Sequence, residues 1–188
     1  MNLPNKITLA RVFMIPLFVV LLLIDFKYNN IFACAVFCIA CISDYFDGKL
    51  ARKYNLVSNF GKFADPLADK LLVGAALICF VELDLLSAWM VILIISREFI
   101  ISGVRLIAAD NGVVIAASMW GKVKTTFQMI MSIYLLLFAK VYHQADFPFH
   151  TIMVVLGEIL KYVAVALTII SLIDYMYKNR ELFSDIKD

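Results

Sequence analysis

Asp44-Tyr45-Phe46-Asp47-Gly48-Lys49-Leu50-Ala51-Arg52, followed after eight residues by Gly61-Lys62-Phe63-Ala64-Asp65-Pro66-Leu67-Ala68-Asp69, is the stretch on which the reading of this chain turns. Asp44 and Asp47 stand at i, i+3 and Asp65 and Asp69 at i, i+4, so each pair falls on one face of a helix. Two helices joined by a short loop can aim four such carboxylates into one cavity. Four like charges at low dielectric repel one another and partly reprotonate unless cations neutralise them. Hard oxygen ligands in that number suit Mg²⁺ or Mn²⁺, and two ions are expected. Gly48 and Gly61 leave room where helices or a ligand must approach closely. Pro66 is expected within the first turn or two of its helix, where a missing N–H does least harm. The competing explanation is a solvated helix end, its acids paired with Lys49, Arg52, Lys53 and Lys62. That accounts for one aspartate better than for four at facing spacings.

The surroundings of these acids are apolar. Hydrophobic residues make up 63% of the 188, against roughly 45 to 50% in soluble domains, and the mean hydropathy is +0.90. A bilayer core takes about 20 apolar residues per helical crossing, so some six crossings with short loops would use the whole chain. An all-α, polytopic membrane protein is therefore expected, with spans near 6 to 25, 30 to 52, 61 to 82, 88 to 109, 118 to 140 and 150 to 176. No linker, repeat or low-complexity tract divides the sequence. Residues 1 to 188 are read as one membrane-embedded catalytic domain with a short tail from about 177 to 188.

Charge is distributed unevenly along this pattern. Lys27-Tyr28-Asn29-Asn30, Glu82-Leu83-Asp84 and Tyr142-His143-Gln144-Ala145-Asp146 fall on one side and carry few cations. Lys6, Arg11, Lys49, Arg52, Lys53, Lys62, Arg105, Lys122, Lys124, Lys178, Arg180 and Lys187 fall on the other. The positive-inside rule places the second side and both termini in the cytoplasm, in a bacterial-type cell membrane. The four aspartates then lie about one to three turns from the cytoplasmic helix ends, at similar depth. The run Val12 to Ile24 lacks a small-x-small cleavage site after it and reads as a retained first span. Cys34, Cys38 and Cys41 share a helix face, but with no histidine nearby they read as small packing thiols, as does Cys79. The net charge of +2 gives no reason to expect a nucleic-acid partner.

The pattern D-x-x-D-G-x-x-A-R-x8-G-x-x-x-D-x-x-x-D resembles the signature of the CDP-alcohol phosphotransferases, and every fixed position is matched. The resemblance implies a six-helix membrane fold, a homodimer, and a divalent metal pair beside a CDP-activated substrate at the cytoplasmic face. Carried over by position, it makes Asp44, Asp47 and Asp65 metal ligands, and Asp69 the general base with a share in metal binding. Gly48, Ala51, Arg52 and Gly61 would line the cytidine nucleotide site. The chemistry agrees with the residue types: cations can neutralise a pyrophosphate and its leaving group, and a carboxylate can take the proton of an attacking hydroxyl. No Ser-His, Cys-His or His-centred arrangement supports a covalent intermediate, since His143 and His150 fall on the outer side.

Three more stretches resemble the branch of that family that transfers a phosphatidyl group from CDP-diacylglycerol to glycerol 3-phosphate. They are Asn2-Leu3-Pro4-Asn5-Lys6-Ile7-Thr8-Leu9-Ala10-Arg11, Ser96-Arg97-Glu98-Phe99 leading to Gly103-Val104-Arg105, and Gly121-Lys122-Val123-Lys124-Thr125. By that analogy Asn5, Thr8 and Arg11 help hold the lipid's phosphates, while Arg97, Arg105, Lys122 and Lys124 hold the acceptor's phosphate. Each cation has a plainer explanation. Arg11 and Lys124 could snorkel to lipid headgroups, and Arg97 could pair with a buried acid such as Asp65 or Glu98. Glu158 and Lys161, at i, i+3, read as a locally neutralised pair. Two rival functions stay open at this point. The acceptor could be inositol phosphate, serine or phosphatidylglycerol, and buried acids and arginines also mark cation transporters.

Overall fold

The computed structural model describes residues 3–53, 59–110, 112, 115–116, 118–143 and 149–180, with side chains described over 8–43, 67–68, 70–109, 112, 115–116, 118–142 and 149–180. Among the described residues there are helices and no strands. The helices are α1 (Leu3–Leu23), α2 (Asn29–Lys53), α3 (Asn59–Glu82), α4 (Ala88–Asp110), α5 (Met119–Phe138) and α6 (His150–Lys178), with a 3₁₀ turn at Ala139–His143 after α5. They coincide with the six expected segments to within a few residues. Pro66 is the eighth residue of α3, at the end of its second turn. The stretches Met119–Tyr142 and His150–Lys178 are each long and apolar enough to cross a membrane. Large apolar side chains stand exposed along the helices, among them Phe13, Phe99, Leu106, Ile152 and Ile173. Surfaces of this kind suit lipid rather than water.

The chain forms two compact units. In the first, comprising α1, α2, α3 and the segment from Ile133, α1 packs against both α2 and α3. Its buried face on α3 repeats every four residues through Ala68, Leu72, Ala76 and Phe80, and its counterpart on α2 is Ala33, Phe37 and Ala40. Alanine between larger residues lets helix backbones approach closely. Phe18 of α1 meets Phe37 of α2 with ring centroids 5.8 Å apart. The turn between α1 and α2 is tied down by polar side chains: Asn30 Nδ2 donates to the Leu137 carbonyl at 2.9 Å, and Lys140 Nζ to that of Phe26 at 2.7 Å. At the other end of α3, Leu85 N–H donates to the Phe80 carbonyl at 2.8 Å and Asp84 adopts φ 53°. That is a Schellman-type stop, closed by an aspartate, one of the residue types that enters the left-handed region at modest cost.

In the second unit, α4 packs against α6, and the N-terminal part of α5 completes it. The buried side chains of α4 recur at Met90, Ile94, Arg97, Ile101, Val104 and Ala108, the three-and-four spacing of one helix face. On α6 the buried positions are Gly157, Lys161, Ala164, Val165, Thr168, Ser171 and Tyr175. Two of these faces therefore carry polar groups into an apolar interior, and those groups need partners there. The cysteines are free thiols, with Cys34 and Cys79 buried.

Candidate active site

The four aspartates fall on the backbone of the first unit. Asp44 and Asp47 lie in the second half of α2, and Asp65 and Asp69 in the first half of α3. Asp47 stands six residues before the last residue of α2 and Asp65 six after the first of α3, about 9 Å from either end by helical rise. Asp44 and Asp69 stand nine and ten residues in, about 14 to 15 Å. Aspartates at matched distances from the end of α2 and the start of α3 offer oxygen donors alone, the ligand type that suits Mg²⁺ or Mn²⁺ rather than a soft metal. The side chains of these four, and those of Asn5, Gly48, Ala51, Arg52 and Gly61, lie outside the described residues. Among the described residues no cluster of His, Cys, Asp or Glu forms a metal site.

Thr8 and Arg11, one turn apart on α1, are both 1% exposed, and both are engaged in polar or electrostatic interactions. Snorkelling of Arg11 to headgroups is thereby corrected, because its side chain is enclosed by protein. The same correction applies to Lys124, which is 0% exposed.

Lys124 belongs to a charge cluster in the second unit. Glu98 of α4 accepts from Lys124 Nζ of α5 and is paired with Arg97 Nη1 at 3.5 Å. Arg97 Nε donates to Ser171 Oγ of α6 at 3.0 Å, and Ser171 Oγ donates in turn to the Thr168 carbonyl at 3.0 Å. A Cβ on Gly121 would stand 3.1 Å from Arg97 Nη2, so glycine at that point of α5 makes room for the guanidinium. Arg97 is thus held by Glu98 of its own helix and Ser171 of α6, in the space that Gly121 of α5 leaves open. Removing the acid would leave the enclosed Arg97 and Lys124 without their compensating charge, which is destabilising.

Arg105 lies two turns further along α4, exposed, with its guanidinium 5.7 Å from the centre of the Tyr175 ring. Ser171 and Tyr175 are one turn apart on α6, so both arginines reach the same face of that helix. Arg97, Arg105 and Lys124 against Glu98 leave two net positive charges, the complement of a phosphate monoester at neutral pH. Lys122, two positions from Lys124, is exposed on a different face of α5. The other expected pair, Lys161 Nζ to Glu158 at 2.6 Å, forms within α6. Sequence reasoning had named Glu98 only as a possible partner of Arg97, and it missed Ser171 and Tyr175. A visible signal for the last two was the stripe Thr168, Ser171, Tyr175, three polar residues at helical spacing in an otherwise apolar run.

The sequence model of CDP-alcohol phosphatidyltransferases matches residues 1–170. The chain belongs to that family. Among its relatives, a Bacillus subtilis (strain 168) protein is 46% identical, with 96% of each chain covered. A Rickettsia felis protein is 37% identical, with 97% of each covered, and one from Salmonella typhimurium is 38% identical, with 95% of each covered. All three bear the name CDP-diacylglycerol–glycerol-3-phosphate 3-phosphatidyltransferase. The family match takes in α1 to α5 and most of α6, stopping one residue before Ser171.

Proposed function

We propose that this chain transfers the phosphatidyl group of CDP-diacylglycerol to glycerol 3-phosphate, releasing CMP and giving phosphatidylglycerol phosphate. The observation that carries the reading is the end-to-end similarity to relatives named for that reaction, at 46% identity over 96% of the chain for the Bacillus subtilis protein. The charge cluster supports the acceptor, since its two net positive charges exceed what a neutral alcohol needs.

In this reading a hydroxyl of glycerol 3-phosphate attacks the phosphorus attached to diacylglycerol, and the bond from that phosphorus to the CMP oxygen breaks. Asp69 takes the hydroxyl proton. Asp44, Asp47 and Asp65, with a share from Asp69, would hold a pair of divalent ions, whose chemistry is to neutralise the diphosphate and the departing CMP. Asn5, Thr8, Arg11, Gly48, Ala51, Arg52 and Gly61 bind the CDP-lipid. Arg97 and Arg105 grip the acceptor's phosphate, for which a planar fork is better suited than an ammonium. Lys124 acts through Glu98, neutralising it so that Arg97 keeps its charge for substrate, and Lys122 adds positive potential at the approach. The purified protein is expected to release CMP from CDP-diacylglycerol rapidly with glycerol 3-phosphate and at least about 10²-fold more slowly with glycerol, for want of two charge-assisted contacts. Equal use of the two alcohols would overturn the acceptor assignment.

The fold serves this chemistry as six membrane crossings with both termini and the loop 53–60 in the cytoplasm. Each of the six helices has at least 20 residues, enough to cross about 30 Å of hydrocarbon. An even number returns the chain to its starting side. A single cysteine placed at position 178, in a background without the native four, should react with an impermeant reagent only after cells are opened. Labelling from outside intact cells would invert the topology.

A further inference from the structure

Lys124, Gln128 and Ser132 follow one another at one-turn spacing along α5, and all three are enclosed, at 0%, 4% and 0% exposure. Polar side chains in such surroundings need partners. Two of these have one: Lys124 Nζ donates to Glu98, and Ser132 Oγ donates to the Gln128 carbonyl at 2.9 Å. Gln128 differs, because its side-chain oxygen Oε1 is buried with no hydrogen-bond partner among the described residues. An unpaired buried acceptor is destabilising, and native structures hold few of them. Methionine would fill the same space without that cost.

The neighbouring ammonium shows what this oxygen can hold. A lysine ammonium has three N–H donors, and among the described residues that of Lys124 bonds to Glu98 alone. Buried N–H groups are therefore left over one helical turn from a buried acceptor that is also left over. Side chains on a helix lean toward its N-terminus, so the Gln128 carboxamide extends over the turn that carries Lys124. The two groups do not bond directly. A molecule that joins them must accept from an ammonium, donate to an amide oxygen, carry no charge and fit an enclosed space. Water meets all of these conditions, and buried waters commonly serve such groups with about three hydrogen bonds each. A carboxylate or a phosphate dianion has no proton for the amide oxygen, and a metal cation would be repelled by Lys124 and Arg97.

We infer that Gln128 and Lys124 hold a buried water between them, which accepts from the ammonium and donates to Gln128 Oε1, and that Gln128 is through it a positioning residue for the acceptor. The water gives the ammonium a second partner. Lys124 then stays seated against Glu98, and Glu98 against Arg97. The positioning role rests on the acceptor reading above; the water site stands without it.

The test is Gln128→Met, which keeps the length of the side chain and removes the amide oxygen. The thermal midpoint of the unliganded protein should fall by about 2 to 4 °C, because an enclosed ammonium loses a partner. An oxygen that was merely orphaned would give the opposite sign, so a midpoint that holds or rises overturns the water site. A crystal structure of the parent protein that shows ordered solvent reads the site directly. A solvent peak within hydrogen-bond reach of both Lys124 Nζ and Gln128 Oε1 is expected, and its loss in Gln128→Met; a direct contact between the two side chains, with no solvent between them, would overturn the proposal. For the positioning role, KM for glycerol 3-phosphate should rise roughly 5- to 10-fold in Gln128→Met, while kcat and KM for CDP-diacylglycerol stay within about twofold. Arg97→Gln measured alongside separates two failures. If it weakens the acceptor while Gln128→Met does not, the positioning role falls; if neither does, the acceptor reading falls with it.

Discussion

Replacing Asp44, Asp47 or Asp65 by asparagine is expected to lower CMP release by at least about 10²- to 10³-fold, the scale of losing one preorganised electrostatic group from a reacting centre. The protein should remain folded, because each substitution removes one of four mutually repelling charges. The helical placement supports this pairing of effects: two acids on α2 and two on α3 occupy matched depths, where as bare carboxylates they would only destabilise the helices that carry them. Initial rates against Mg²⁺ concentration, together with direct Mn²⁺ titration of each variant, separate ligand loss from misfolding. Near-normal rates at limiting Mg²⁺ would make these acids structural. Asp69→Asn should behave differently, retaining most of its cation affinity while the chemical step slows by about 10²-fold or more, as befits a lost general base.

Helix positions were legible because the chain marks its own turns. Polar clusters such as Lys27-Tyr28-Asn29-Asn30 and Glu82-Leu83-Asp84 interrupt long apolar runs, and α2 and α3 begin or end beside them. The small discrepancies have local causes. Helix α5 ends at Phe138 rather than near 140, because the chain tightens into a 3₁₀ turn there, with Lys140 reaching the carbonyl of Phe26. The acids were legible for another reason: spacing along one helix fixes a shared face without reference to anything distant.

What stayed hidden is partner choice across long separations. Arg97 and Ser171 lie 74 positions apart, and no local rule links them. Arg97 and Glu98 are adjacent, and neighbours at i, i+1 do not ordinarily face each other, so nothing in the sequence marked Glu98 as the bridge between Arg97 and Lys124. Lys124 shows the consequence. On a helical wheel it is a cation near a helix start, suited to a headgroup; in the folded unit it is enclosed, with its charge answered by Glu98. In the proposed reading, the cationic contacts to the acceptor's phosphate are left to the arginines.

Arg97→Gln should then have the largest effect among the cations, lowering kcat/KM for glycerol 3-phosphate by about 10²- to 10³-fold while leaving the KM of the lipid donor nearly unchanged. Two losses combine to give that size. A bidentate guanidinium offers two charge-assisted bonds to phosphate, each contributing about 1.5 to 3 kcal/mol. Arg97 also stands near the middle of α4, where a formal charge among apolar neighbours needs partners, and it is held by Glu98 and Ser171 rather than left to rotate. Lysine at 97 restores the charge but neither the fork nor the Nε donor to Ser171, so Arg97→Lys should recover less than about a tenth of the lost efficiency. Gly121→Ala is the milder counterpart. Its new methyl would press on Nη2 from 3.1 Å, and because that is the far end of a flexible side chain, folding should survive while the fork shifts by a few tenths of an ångström. A loss of about fivefold in acceptor efficiency, near 1 kcal/mol, is expected. Steady-state kinetics with each substrate varied in turn decide the matter. If Arg97→Lys matched the parent, or if Arg97→Gln weakened the lipid donor as much as the acceptor, the cluster would be a structural ion pair and the phosphate would have to be held elsewhere.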